Sequence, residues 1–193
     1  MSLLLIHGSL RGRAGNTAAV LDEAARRAPV PVDHLDLTAA PPVEEVVQRL
    51  RDATALLVGT GAYWHGWGSP LQRFLEVMTP WENTDCFFGK PVGCVVTMDS
   101  VGGADLAARL LHTFNQLGCV VPPCTTLVLS RVAAAAPPDD DTWTLDDLDT
   151  ILHNLVSPPP AWRRWPVRAL EGPQGAWPAS GPLDLRSPRF TPR

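Results

Sequence analysis

The chain has 193 residues, a formal net charge of −4, 45% hydrophobic and 19% charged residues, which describes one globular domain with a sizeable core. The acidic balance gives no electrostatic support to nucleic-acid binding, and no apolar run reaches the length of a membrane span. The opening "MSLLLIHGS" lacks a basic segment and its apolar run is short for a signal peptide, so a cytoplasmic protein is expected.

Apolar runs and helical patterns alternate from the start. Residues 3–7 (LLLIH) read as a strand, and 16–28 as a helix with Ala18, Leu21, Ala25 and Ala28 on one face and Asn16 as N-cap. Residues 32–37 form a short strand; 41–53 form a helix that opens on prolines and repeats Val43, Val46, Val47 and Leu50 at helical spacing. A buried strand follows at 55–60, then a helix at 69–78 with Ser69 as cap and Pro70 at its first position. Residues 90–98 are a strand, 103–118 a helix closed by Gly118, and 125–130 a last strand. The final helix covers 144–156, with Thr144 as cap and acidic residues in its first turns. Strands that are apolar on both sides and alternate with helices imply an α/β three-layer sandwich, a parallel sheet with helices on both faces.

Residues 1–156 therefore form the domain, and 157–193 differ from it. That segment holds nine prolines, Trp162, Trp165 and Trp177, and six arginines against Glu171 and Asp184. It reads as a tail, or as an arm laid on the acidic body or on a partner subunit. The cysteines Cys86, Cys94, Cys119 and Cys124 contain no C-x-x-C, so zinc ribbons and thioredoxin-like redox motifs fit poorly. Four-cysteine iron–sulfur runs fit no better, and reduced, structural thiols and no metal are expected.

In an open parallel sheet, ligands bind outside the carboxyl ends of strands where the connection direction reverses. For a five-stranded order 2-1-3-4-5 that point lies between strands one and three. The loops after those strands are unusual, "GSLRGRAGNT" and "GTGAYWHGWGSP", whereas strand two is followed only by "TAAPP". In the first loop, glycines allow close backbone approach, Ser9 and Thr17 offer hydroxyls, Arg11 offers a fork of donors, and a helix N-terminus follows. That is an anion cradle suited to phosphate. It lacks the lysine of a nucleotide-triphosphatase loop and the G-x-G-x-x-G of a dinucleotide domain. The second loop sets Tyr63, Trp64 and Trp67 beside His65 and Gly66, a group able to hold a flat conjugated ligand. The third, "TMDSVGGAD", offers the backbone N–H groups of Ser100 to Gly103 to a polar edge. A phosphate cradle, an aromatic shelf and an amide-rich edge together describe a site for FMN.

These stretches, with "GKPVGCVVT" and "GGADLAARLLHTFNQLG", resemble in order and separation the NAD(P)H-dependent FMN reductase family of flavodoxin-like proteins over roughly residues 1–130. The resemblance implies a flavodoxin-like sandwich and an FMN phosphate bound by Ser9, Arg11, Asn16 and Thr17. It further implies a flavin ring held by Tyr63, Trp64, His65 and Gly66, and a pyrimidine edge met by Ser100, Gly102 and Gly103. It also implies a homodimer and NADPH or NADH as donor to a small-molecule electron acceptor, with His65 the one candidate for proton transfer. By the resemblance, either Ala14 stands where the family carries a serine or the loop is one residue longer than the family's, and "TPWENTDCFF" (79–88) has no recognised family counterpart. The expected function is an FMN-dependent NAD(P)H oxidoreductase; the alternatives are a flavodoxin-type electron carrier and a flavodoxin-fold scaffold that no longer binds FMN.

Overall fold

A strand that is apolar on both faces needs cover on both sides, and the chain supplies it with helices between successive strands. The structure is a computed structural model describing residues 1–135 and 142–157; the segment expected as a tail or arm lies, beyond Ser157, outside the described residues. Strands β1 (Leu3–His7), β2 (Val32–Asp36), β3 (Ala55–Gly61), β4 (Val92–Met98) and β5 (Thr126–Ser130) form one five-stranded sheet in the order β2-β1-β3-β4-β5. All pairs are parallel, with Leu3 opposite both Val32 and Ala55. This is the flavodoxin-like topology expected from the sequence.

Period-two alternation divides the core into two layers. Leu4, Ile6, Leu56, Val58, Cys94 and Val96 pack beneath α2 (Val43–Asp52), α3 (Ser69–Met78) and α4 (Gly103–Gln116). The opposite parity, Leu3, Leu5, Leu57, Val95 and Leu127, packs against α1 (Asn16–Arg27) and α6 (Asp147–Val156). The first layer contains a three-ring cluster, with Phe74, Phe87 and Phe114 at centroid separations of 6.3–6.4 Å. Each such fully buried side chain contributes roughly 1.5–3 kcal/mol.

The helix ends differ from expectation in ways that bear on the site. Asn16 is the first helical residue of α1; the cap is Gly15, and no side chain bonds the first amides. Ser69 likewise sits inside α3, capped by Gly68. A bulkier residue at position 68 would collide with the phosphate-loop backbone, and this contact selects the cap. Thr144 does accept from the Asp146 N–H at 3.3 Å while its own N–H donates to Asp147 Oδ2 at 2.7 Å. That reciprocal box precedes a tight turn, and regular helix starts at Asp147. The strand predicted from residue 90 begins at Val92, because Lys90 donates its ammonium to the carbonyls of Leu50, Arg51 and Ala53 at the end of α2. A four-residue helix α5 (Arg131–Ala134), capped by Ser130, was not expected. Among the described residues no helix is long and apolar enough to cross a membrane. Cys86, Cys94 and Cys119 are buried free thiols, and Cys124 is an exposed one.

Candidate functional site

The carboxyl ends of β1 and β3 are neighbours in the sheet, but their chains leave for helices on opposite faces. A crevice opens there. It is a cavity of about 430 Å³ lined by Ser9, Arg11, Asn16 and Thr17 of the first loop, by Gly61 to Tyr63 of the second, and by Thr97 to Asp99 and Arg131.

The first loop turns tightly. Gly12 takes a positive φ of 56°, its N–H donates to the Ser9 carbonyl at 3.1 Å, and Gly15 closes the turn on the Gly12 carbonyl at 3.1 Å. Ser9 is buried, its Oγ 3.2 Å from the hydroxyl of Tyr63, the chain's only tyrosine. Thr17 Oγ1 lies 2.7 Å from Thr97 Oγ1, which joins the start of α1 to the end of β4. Arg11 and Asn16 are exposed at the cavity mouth. The first amides of α1 have no intrahelical partner by helix geometry, and with Gly15 as cap no side chain takes their place. Uncapped amides, a guanidinium with no partner among the described residues and four hydroxyls around one cavity fit a phosphate ester. A volume of about 430 Å³ is ordinary for a pocket that takes a small-molecule ligand. Gly61 forms the floor between them: a Cβ there would lie 3.1 Å from the Tyr63 ring and 3.2 Å from Ser9 Oγ.

Behind the loop, the Cβ position of Gly12 lies 3.4 Å from Thr38 Oγ1. That hydroxyl donates to Asp36 Oδ1 at 2.7 Å, the Thr38 N–H donates to the same oxygen at 2.9 Å, and His7 Nδ1 lies 3.3 Å from it. His7 is buried, and its Nε2 has no partner among the described residues. Burial pushes the Asp36 carboxyl up, but the Thr38 and His7 hydrogen bonds outweigh it and hold the group below its ordinary value. The stabilisation this brings is complete above the ordinary carboxylate value of about 4 and disappears as pH falls through the lower folded value. Asp36→Asn therefore loses stability relative to the native chain at pH 7, and the gap narrows at pH 3. Urea unfolding at both pH values checks this; an equal gap at each would contradict it.

The second loop is more strained than its sequence suggested. Tyr63 and Gly66 exchange both backbone hydrogen bonds at 2.8 Å, enclosing Trp64 and His65 at φ of 48° and 64°. Two positive φ values in a two-residue turn are the habit of Asn-Gly, and neither residue here is of that kind. Left-handed backbone at a residue with a Cβ costs about 1–2 kcal/mol. The turn throws Trp64 fully into solvent, at 101% relative exposure, while the His65 ring packs on Gly102 so closely that a Cβ there would lie 2.6 Å from Nδ1. Arg109 of α4 holds the turn: it donates to the His65 carbonyl, pairs with Asp105 at 3.0 Å and lies 5.8 Å above the Trp67 ring. Trp67 packs against the core and donates to Gln72 Oε1 at 2.7 Å.

In the third loop, Gly102 has φ 89° and caps α4. The Gly103 N–H donates to Met98 Sδ at 3.1 Å, and a Cβ there would lie 2.4 Å from Val128, so this glycine serves close packing of α4 on β5. Ser100 is exposed, and its carbonyl accepts from Ser130 Oγ at 3.2 Å. The cavity thus gathers Ser9, Arg11, Asn16, Thr17 and Tyr63, whereas Trp64, His65, Gly66, Ser100, Gly102 and Gly103 are not part of its lining. Thr97, Met98 and Asp99 lie in the third loop that the sequence singled out but were given no role there, and Arg131 was missed altogether. Arg131 Nε donates to Asp99 Oδ1 at 2.6 Å and holds that carboxyl below its ordinary value, and the Val132 N–H bonds the Asp99 carbonyl at 2.9 Å. The same rule that selected the other loops, chemistry at strand carboxyl ends, points to Arg131 directly after β5.

A family model described as NADPH-dependent FMN reductase matches residues 1–134. Among solved structures, RosB with a bound 8-demethyl-8-formylriboflavin-5′-phosphate intermediate is 16% identical, with a TM-score of 0.64 over 80% of this chain and 77% of its own. An NADPH-quinone reductase from P. pentosaceus is 19% identical, with a TM-score of 0.58 over 82% and 98%. A flavodoxin from the domain Archaea is 16% identical, with a TM-score of 0.58 over 80% and 96%. These likenesses show the fold. No curated protein matches the sequence.

Proposed function

The chain belongs to the NADPH-dependent FMN reductase family, and from that premise we propose that it is an FMN-dependent NAD(P)H oxidoreductase serving a small acceptor such as a quinone or a free flavin. The observation that carries the reading is the cavity itself, with uncapped α1 amides, Arg11 and three hydroxyls converging on one ligand space beside Tyr63. FMN held there would supply the hydride and electron-pair chemistry between a nicotinamide donor and the acceptor. Arg11, Asn16 and the α1 amides neutralise and orient the phosphate, and Ser9 and Thr17 add hydroxyl donors. Tyr63, fixed by Ser9, gives the cavity an aromatic wall. His65 is the titratable side chain that we assign to the ring end, its imidazole seated on Gly102. Backbone N–H groups at Ser100 and Gly102 are the donors that we assign to the pyrimidine edge.

We also propose a homodimer. Each of the three loops carries one exposed apolar side chain, Leu10, Trp64 and Val101, and exposed apolar groups on neighbouring loops are a natural contact for a second copy. Sedimentation at the monomer mass would remove this part of the reading.

The decisive experiment is an absorption spectrum of the chain after incubation with FMN and removal of excess, followed by anaerobic NADPH or NADH. Retained flavin that bleaches with either donor is expected; in His65→Gln the flavin stays and the bleaching rate changes. Flavin that is retained but bleached by neither donor would assign the protein to electron carriage. No retention would leave the scaffold reading.

A further inference from the structure

The cofactor cavity runs along a row of strand ends. Its lining comes in turn from the loop after β1, from the end of β3 at Gly61, from the end of β4 at Thr97, and from Arg131, the first residue after β5. In the order β2-β1-β3-β4-β5 the ends of β1 and β5 are three strand spacings apart, about 14 Å. Arg11 and Arg131 are the two cations of the lining and belong to the two outer strands of this row, and Asp99 is its one carboxylate. Phosphate chemistry gathers at the first loop, where the α1 amides, Ser9 and Thr17 accompany Arg11. Arg131 has no such company. The short helix that it opens is capped by Ser130, whose Oγ accepts from the Ala133 N–H at 3.3 Å.

Arg131 is tied to the third loop from several sides. Its Nε donates to Asp99 Oδ1 at 2.6 Å, the Val132 N–H donates to the Asp99 carbonyl at 2.9 Å, and Ser130 Oγ lies 3.2 Å from the carbonyls of both Asp99 and Ser100. These bonds join the end of β5 to the loop whose amides are assigned above to the pyrimidine edge. Asp99 takes the Nε proton alone, and the terminal guanidinium nitrogens make no hydrogen bond among the described residues. Both side chains are exposed, so the pair adds little to folding and is open to whatever fills the cavity.

We propose that Arg131 is the charge presented to the ring end of FMN and that Asp99 sets how much of it is felt, so that the pair fixes the reduction potential of the bound flavin. The inference rests on FMN as the occupant of the cavity. FMN has two polar ends, the phosphate and the pyrimidine edge of the ring. With the phosphate at Arg11, the pyrimidine edge is the end left for the second arginine. Uptake of a hydride, two electrons and one proton, leaves the ring one unit more negative. A cation beside the ring favours that form, and a ligand that displaces water from the cavity strengthens its field. The Asp99 carboxylate opposes it.

The test is the midpoint potential of FMN bound to the full chain, read from the absorption spectrum at anaerobic equilibrium with a reference dye, in the native protein and in Arg131→Gln, Arg131→Lys and Asp99→Asn. Arg131→Gln is expected to lower the potential by about 30 mV or more, the two-electron equivalent of a tenfold weaker preference for the reduced flavin. Asp99→Asn raises it by a similar amount, and Arg131→Lys, which keeps the charge, stays near the native value. The opposite signs are the signature, since a third loop merely loosened by the loss of the pair would shift both variants the same way. Unshifted potentials, or shifts of one sign in Arg131→Gln and Asp99→Asn, would overturn the proposal. A native potential in Arg131→Gln together with a raised KM for NADPH would assign the arginine to the donor and overturn it equally. Failure of the FMN reading is distinct: a native chain that retains no flavin overturns both, whereas retained flavin with unshifted potentials overturns this inference alone.

Discussion

In Arg11→Ala, FMN affinity falls by about 1.5–3 kcal/mol, roughly 10- to 150-fold, while the protein remains as stable as the native chain. The first half follows from the guanidinium's position at the mouth of the cavity, beside helix amides that no side chain caps. A hydrogen bond to a charged phosphate is about twice as strong as one between neutral groups. The second half follows from what Arg11 leaves undone in the free protein. Among the described residues it enters no salt bridge, whereas its neighbour Arg13 faces Asp22 at 3.6 Å on the outer surface of α1. Arg13→Ala is the matching control and leaves FMN affinity within about 0.5 kcal/mol, the usual range for a surface change. Fluorescence titration of FMN against both variants measures the effect. Equal affinity in the native chain and in Arg11→Ala would remove Arg11 from the phosphate site.

Gly68→Ala produces the larger structural effect, a loss of about 2–3 kcal/mol in stability together with FMN affinity reduced by more than about tenfold. Gly68 has φ −63° and ψ 146°, values open to any residue, so its conformation does not require glycine. Its surroundings do. A Cβ would lie 2.4 Å from the Gly8 carbonyl oxygen, 3.2 Å from the Leu10 nitrogen and 3.4 Å from Ser9 Cα. All three are backbone atoms of the phosphate loop, and backbone cannot swing aside as a side-chain tip does. The Gly68 N–H is itself fixed by Thr60 Oγ1 at 3.0 Å in the buried interior. Relief comes only by separating the first and second loops, which displaces Ser9 from Tyr63 and opens the cradle. Gly89 is the contrast: it has φ 75° with open space around its Cβ position, so alanine there costs about 1–2 kcal/mol of backbone strain and leaves FMN affinity alone. Urea unfolding and FMN titration on the same Gly68→Ala preparation check both effects. Native values for both would show that the two loops are not packed as described.

The sheet, its five strands and its two helical layers were legible in the sequence because the signals are local and repetitive. Leu3 to Ile6 are apolar on both parities, which already requires cover on two faces, and Val46, Val47 and Leu50 recur at helical spacing. The unusual loops stood out because only some strand ends carry glycine together with hydroxyl, arginine or aromatic side chains, and the topology says which of those ends meet. What the tertiary structure decided lies between residues far apart in sequence. Gly68 rather than Ser69 caps α3 because Gly8 sits against it. Trp64 faces solvent because Tyr63 and Gly66 close a turn that no local preference favours, and Arg109, 44 residues on from His65, helps to hold it. Gly103 packs against Val128 and gives its N–H to Met98, and the Asp99–Arg131 pair across strands β4 and β5 completes the cavity wall. Periodicity reports which side of an element faces inward, because burial repeats with the backbone. It carries no record of which single atoms touch across the fold, since each such contact depends on two loops whose approach is set by the packing of the elements that carry them.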